Sequence, residues 1–378
     1  MNTNYKTPGQ LLNHLLEQRG WSQRVLAVVL GMGETTVNKL ATDKRRFTAE
    51  IALNLEEIFG EPMDSFLDLQ KAYDKAVAKA RARPNPDQVL RMRLFSELPI
   101  SEMIKRGWID AKSVKDFAGV EAGLCSFFGV SKVEDIEVLP HAAKKTEVAT
   151  GTSSAQLAWL YRVKKIASEM VIPRYSKKAG KAAVDQLLPL RVSVEAIRKV
   201  PRILAKAGIR FVIVESLPSA KIDGVCFWLD ESAPVIGMSL RFDRIDNFWF
   251  VLRHELEHVL REHGKSSISI DTELADERAG TGDDLAEEER VANSAAANFA
   301  VPKSKMDGFI ARKAPLFTDR NLIGFARTLG VHPGLVTGQL QYRAGQYKLF
   351  RNHLVKIRSS ISPSALVDGW GDIVSVDS

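Results

Sequence analysis

Apolar positions recur at helical spacing from the start of the chain. Leu11, Leu12, Leu15 and Leu16 form one stripe, as a core-facing helix requires. Gly20 ends that helix and Ser22 caps the next. In residues 23–30 the spacing assigns Val25, Leu26, Val29 and Leu30 to a core. Gly31-Met32-Gly33 makes a tight turn, and a second short helix runs from Glu34 to Leu40. Further helical stripes pass through Ile51, Leu55 and Ile58, then Phe66, Leu69 and Tyr73. Residues 76–87, rich in Lys, Arg, Ala and Pro, read as a domain boundary. Helices resume over residues 89–138, 155–170 and 194–207, with a small, polar linker at 141–154. Strand signals begin only after Gly208. IRFVIVE is continuous and β-branched, and GVCFWLD and PVIGMSL follow at a spacing suited to a small sheet. Asp246 or Asn247 then caps a long helix through Leu260. An acidic stretch, 271–289, separates it from a helix ending at Pro302.

Composition narrows the class. A chain of 378 residues is too long for one ordinary core, so two or three domains are expected. With 45% hydrophobic and 26% charged residues, there is enough apolar material to build them. The net charge of +7 is compatible with nucleic-acid binding without requiring it. Two cysteines, Cys125 and Cys226, exclude a disulfide framework and suit a reducing compartment. No apolar run reaches spanning length, so the expectation is a cytoplasmic, nucleoid-associated protein with no membrane partner.

The long helix carries the chemistry. In FVLRHELEHVLREH, His254 and His258 stand four residues apart, on one helical face. Two imidazoles so placed can share a tetrahedral Zn²⁺. Glu255 sits where a general base is needed: zinc lowers the pKa of a coordinated water to about 7, and the carboxylate takes its proton. A third protein ligand is still required. Ten residues past the first His, where metzincins place another, stands Gly264. His263 lies about 140° around the helix from His258, at 100° per residue, and points elsewhere. Glu289 is the better candidate: it opens EEERVANSAAANFAVP, whose small residues let that helix pack closely. Cys226, on the strand before the zinc helix, is either a small buried hydrophobe or a thiolate that occupies the open site and holds it inactive. Val235, Ile236, Gly237, Met238, Ser239 and Leu240 are read as an edge strand for an extended substrate, or else as an ordinary core strand.

The N-terminal segment SQRVLAVVLGMGETTVNKL has the caps, turn and pattern of a helix-turn-helix. Its second helix presents Thr35, Thr36, Asn38 and Lys39, with Val37 and Leu40 inward. Gln23 can touch backbone or base, and Lys39, Lys44, Arg45 and Arg46 neutralise phosphates. Such domains bind palindromic operators in double-stranded DNA as homodimers.

Two resemblances follow from these residues. Residues 7–76 resemble HigA-type antitoxin repressors of the XRE class. Residues 155–341 resemble the ImmA/IrrE metallopeptidases, through AKAGIRFVIVESLPSAKIDGVCFWL, PVIGMSLRFDRIDNFWFVLRHELEHVL, ERVANSAAANFAVP and LIGFARTLGVHPGLVTGQLQ. The family pattern E-x-x-A-N falls on Glu289, Ala292 and Asn293, and implies Glu289 as third ligand. Glu257, where Gly is frequent, and Arg253 depart from it. The resemblance implies a multidomain chain. An all-α helix-turn-helix domain (1–83) precedes a helical connector (84–150), an α+β zincin-like metallopeptidase domain with a small sheet (151–345) and a C-terminal tail (346–378). It implies Zn²⁺ as cofactor and a helix-turn-helix repressor as substrate, cleaved in trans or within this chain to relieve repression in a stress, phage-defence or mobile-element response; the composition of residues 81–87 and 141–154 makes these linkers the expected positions of self-cleavage. The alternative is a non-proteolytic regulator or antitoxin-like protein that uses the peptidase fold as a sensor.

Overall fold

Local capping sets the N-terminal helices. In the computed structural model, which describes residues 5–81, 86–136, 152–218, 220–265, 268–272, 274 and 287–368, α1 (Pro8–Arg19) starts at Thr7, whose hydroxyl accepts from the Gln10 amide at 3.2 Å. Gly20, at φ 67°, ends it. Ser22 accepts from the Val25 amide at 3.3 Å and opens α2 (Gln23–Val29). After Gly31, at φ 63°, come α3 (Glu34–Ala41), α4 (Ala49–Phe59) and α5 (Met63–Arg81). Leu12, Leu26, Val37, Leu40, Leu55 and Phe66 are fully buried between them. The apolar assignment of α2 needs correction. Leu26 and Ala27 face the core, whereas Val25, Val28 and Val29 are 41%, 78% and 48% exposed. Val25 and Val29, four residues apart, share the outer face of a helix only seven residues long.

Residues 1–89 and 90–378 form two compact units. α6 (Pro86–Glu97) crosses the boundary, and α7 (Ile100–Lys105) and α8 (Phe117–Phe128) follow. The second unit continues with α9 (Ser154–Glu169), α10 (Lys177–Leu187), α11 (Val200–Lys206), β1 (Arg210–Val214), β2 (Ile222–Trp228) and β3 (Pro234–Met238). Next come α12 (Ile245–Arg261), β4 (Ser269–Thr272), α13 (Glu287–Ala300), α14 (Lys303–Lys313), α15 (Asp319–Leu329) and α16 (Pro333–Ala344). It closes with α17 (Arg358–Ile361) and β5 (Leu366–Asp368). Much of the acidic stretch 271–289, and the 141–154 linker up to residue 151, lie outside the described residues, as do 82–85 within the other proposed linker.

The sheet order is β4-β2-β3-β1-β5. β1 runs parallel to β3 and β5, and β2 runs antiparallel to β3 and β4. Strand side chains alternate between faces. Phe211, Ile213, Cys226, Ile236 and Met238 enter one apolar layer with α12 and the helices after it. Val212, Val214, Val225, Phe227 and Val235 enter a second layer with α7, α8 and α9. Both faces are covered, which explains why these strands read as unbroken apolar runs.

Two domain boundaries therefore differ from those expected. The segment expected as a connector is part of the second unit, where Leu94, Ile100, Met103, Trp108, Leu124 and Phe127 help to cover one face of the sheet. The expected tail supplies β5 and buries Ile357, Ile361, Ala365 and Val367. One buried node ties these segments together. Asp368 accepts from the Trp108 indole N–H at 2.9 Å and pairs with the Arg162 guanidinium of α9. Among the described residues, no helix is long and apolar enough to cross a membrane.

Candidate functional site

α12 begins at Ile245 with Arg244 as its N-cap, two or three residues before the expected cap; Asp246 instead pairs with Arg244 from the first turn. The helix lies on the sheet through Phe248, Val251, Leu252, Leu256 and Val259, all buried. α13 packs beside it, and its buried small residues Ala292 and Ala296 allow the close approach.

That packing brings the donors together. His254 and His258 Nε2 are 3.0 Å apart. Glu289 spans both, with Oε2 3.3 Å from His254 Nε2 and Oε1 3.5 Å from His258 Nε2. Donors held by a tetrahedral zinc at 2.0–2.1 Å lie about 3.3–3.4 Å from one another. The observed separations fit a single four-coordinate cation. The outer ring nitrogens are also engaged: His254 Nδ1 lies 3.1 Å from Asn293 Oδ1, and His258 Nδ1 lies 3.0 Å from His263 Nδ1. Partners of this kind fix the orientation of a ligating imidazole.

The charge balance favours a cation. Burial pulls the His254 imidazolium down, but the adjacent Asp271 and Glu289 carboxylates outweigh it and push its pKa up to about 9. Burial, and then the His254 charge, hold His258 below the usual imidazole value. Glu255 is fully buried, and no hydrogen-bond donor meets either of its oxygens among the described residues. Burial first, then Asp271, raise its carboxyl well above the usual range. Gly224 makes room for it, since a Cβ there would collide with Glu255 Oε1.

Several residues stand elsewhere than expected. His263 does not point away. α12 ends at Arg261, Glu262 takes a left-handed φ of 63°, and the chain folds His263 back onto His258. The Val235–Leu240 segment is not an edge: β3 pairs with β1 on one side and β2 on the other, so its backbone is unavailable to a substrate. Ser239 and Leu240 follow it and are buried. The Cys226 thiol lies in the core layer, 3.9 Å from the His263 carbonyl. Burial, then Glu255 and Asp271, push it well above the usual thiol value. Asp271, Asn293 and Gly224 had no assigned role. Asn293 could have been found from E-x-x-A-N, but Asp271 was one acid in an acidic run.

The two departures from the family pattern form one feature. Glu257 accepts from Arg253 and from Arg261, each at 2.7 Å and each one helical turn away. Glu257→Ala is expected to destabilise the protein by about 1–2 kcal/mol, allowing for residual solvent access. Urea denaturation measures this, and an unchanged midpoint would show the ladder to be inert.

In the first unit Thr35, Asn38, Lys39, Lys44, Arg45 and Arg46 are exposed, and Thr36 and Gln23 are half-buried. Asn38 Nδ2 donates to Gln23 Oε1 at 3.1 Å, joining α2 to α3. Arg46 pairs with Asp74 of α5.

A helix-turn-helix family model matches residues 12–66. An HTH-type transcriptional regulatory protein of Thermococcus gammatolerans is 28% identical over 188 residues, 48% of this chain and 56% of that protein. One from Haloquadratum walsbyi is 39% identical over 79 residues, 21% of this chain and 23% of that protein. The chain thus spans from about a quarter to just over half the length of these archaeal relatives. Virulence-associated protein I of Dichelobacter nodosus is 34% identical over 73 residues, 19% of this chain and 68% of that protein. Through its N-terminal unit, the chain belongs to the helix-turn-helix family of transcriptional regulators.

Proposed function

We propose that this chain is a DNA-binding transcription regulator whose second unit is a zinc-dependent peptidase acting on a helix-turn-helix repressor, in trans or within its own chain. One observation carries the catalytic reading: His254, His258 and Glu289 converge beside a buried Glu255 that no donor satisfies among the described residues. A buried carboxylate in that state is costly to keep, and a divalent cation on the three donors offsets its charge. Zinc held there would supply Lewis acidity and a nucleophile at neutral pH. Glu255 takes the proton of the attacking water. Asn293 and His263 hold the outer ring nitrogens, which keeps both Nε2 atoms aimed at one point. Gly224 preserves the space in which Glu255 acts.

The DNA reading rests on the exposed polar face of α3 and the basic residues after it. Asn38 and Gln23, already joined, form a unit able to meet a base edge. Lys44 and Arg45 reach phosphates, with a homodimer on a palindromic operator expected.

The test combines metal content, cleavage and DNA binding. The purified protein is expected to hold about one zinc per chain and to cleave a co-incubated helix-turn-helix repressor in a Glu255-dependent way. Lys44→Ala is expected to weaken operator binding evenly across sequences and to lower the salt slope by about one. Absence of zinc, or cleavage indifferent to Glu255, would sink the peptidase reading and favour a non-proteolytic sensor. An unchanged salt slope would remove Lys44 from the DNA contact.

A further inference from the structure

We propose that Asp271 is a fourth metal donor, which closes the coordination shell and holds the centre latent until strand β4 moves. This rests on reading the site as a zinc centre. Catalytic zinc sites keep one position open beside three protein ligands, whereas sites with four protein ligands are closed. Here the protein supplies one carboxylate more than a working peptidase needs.

Three observations place Asp271 at that position. Its Oδ2 lies 3.5 Å from His254 Nε2, close to a tetrahedral donor spacing. The donor atoms of His254, His258 and Asp271 all lie within 4.8 Å of one another. Asp271 is only 8% exposed, yet it meets no guanidinium, ammonium or backbone N–H among the described residues. Its charge partner is the His254 imidazole, and a metal ion on the same donors would take over that role.

The sheet register explains how it arrives. Asp271 stands opposite Gly224, and Gly224 is the residue over which Glu255 lies. Cross-strand partners project to the same face, so Asp271 reaches the α12 side beside Glu255. Glu289 approaches from a different element, α13, so the two carboxylates do not depend on one another for position.

β4 is an edge strand, so it can leave without unpairing the rest of the sheet. It is four residues long and, among the described residues, is bonded to β2 alone, with a register shift between Ile222 and Gly224. Beyond it, the Leu274 amide donates to the buried Asp223 at 2.8 Å and pins the strand's end. Displacing β4 would withdraw Asp271, expose the β2 edge and leave His254, His258 and Glu289 in place. An extended polypeptide that pairs with β2 would therefore open the site and occupy the substrate strand in one event.

The test compares wild type, Asp271→Asn and Asp271→Ala in the full chain, loaded with zinc or with cobalt. Cobalt absorption reports coordination number directly. Wild type is expected to give the intense spectrum of a four-coordinate site. Asp271→Ala is expected to put water in the vacated position, which shifts the cobalt spectrum and makes it pH-dependent, to lose at least about tenfold in zinc affinity, and to hydrolyse peptide faster than wild type. Asp271→Asn keeps the side-chain shape, so a folding defect confined to Asp271→Ala would not hide the result. Zinc binding with an unchanged cobalt spectrum and affinity in both variants would overturn Asp271 as a ligand while leaving the zinc centre standing. A changed spectrum without faster hydrolysis would overturn latency. A wild type that binds no zinc would overturn the zinc reading itself.

Discussion

Glu255→Gln is expected to retain the metal and to lose peptide hydrolysis by about 10²–10⁴-fold, the usual contribution of a positioned general base. The side chain lies beside the donor set without belonging to it, so the three-donor geometry survives the change. Glutamine has nearly the same shape and fits the space left by Gly224. What it lacks is the ability to take a proton. The same substitution carries a second, opposite effect. Burial raises the carboxyl pKa well above its unfolded value. A carboxyl raised in this way lowers stability once pH exceeds the unfolded pKa. Removing it should therefore raise the unfolding midpoint of the metal-free protein at neutral pH. A variant that is more stable and less active marks a residue kept for chemistry rather than for folding. Retained hydrolysis with zinc bound would exclude Glu255 as the base.

Asp368→Ala is expected to cost about 3–5 kcal/mol, because it strands the buried Arg162 guanidinium and leaves the Trp108 N–H without its acceptor. Domains are stable by only about 5–15 kcal/mol, so a large part of the second unit's margin would go. Urea denaturation provides the measurement. Adding Arg162→Leu should restore part of the loss, since the stranded charge is then gone. Equal destabilisation by the single and double variants would show that Arg162 does not depend on Asp368.

The parts of this chain that were legible in its sequence are those decided by short spacing. The Ser22 cap, the turn at Gly31, and the inward Val37 and Leu40 are set within twenty residues of one another. The pairing of His254 with His258 needs only one turn of helix. Glu289 was within reach because its helix starts with acids and continues with alanines, a pattern that fits close packing. Other features depend on partners far away. Nothing within PVIGMSL reveals that β1 and β2 flank it, so an interior strand could be taken for an edge. The role of Trp108 depends on residue 368. The position of His263 was missed for a different reason: helical extrapolation past Arg261 fails once Glu262 adopts a left-handed backbone. Asp271 owes its place to the β2 register, which one strand's sequence does not state.

The pairing of β5 with β1 has a consequence for biosynthesis. Val212 meets Leu366 and Ile213 meets Val367 across about 150 residues of intervening chain. A ribosome adding about 5–20 residues per second needs tens of seconds to travel from residue 90 to residue 368. The helix-turn-helix, whose contacts are local, emerges early and can fold while the rest is still being made. The second unit acquires strand β5 only after the chain has been made as far as residue 368. The nascent chain thus completes its helix-turn-helix well before the sheet that supports His254, His258 and Glu255 is closed.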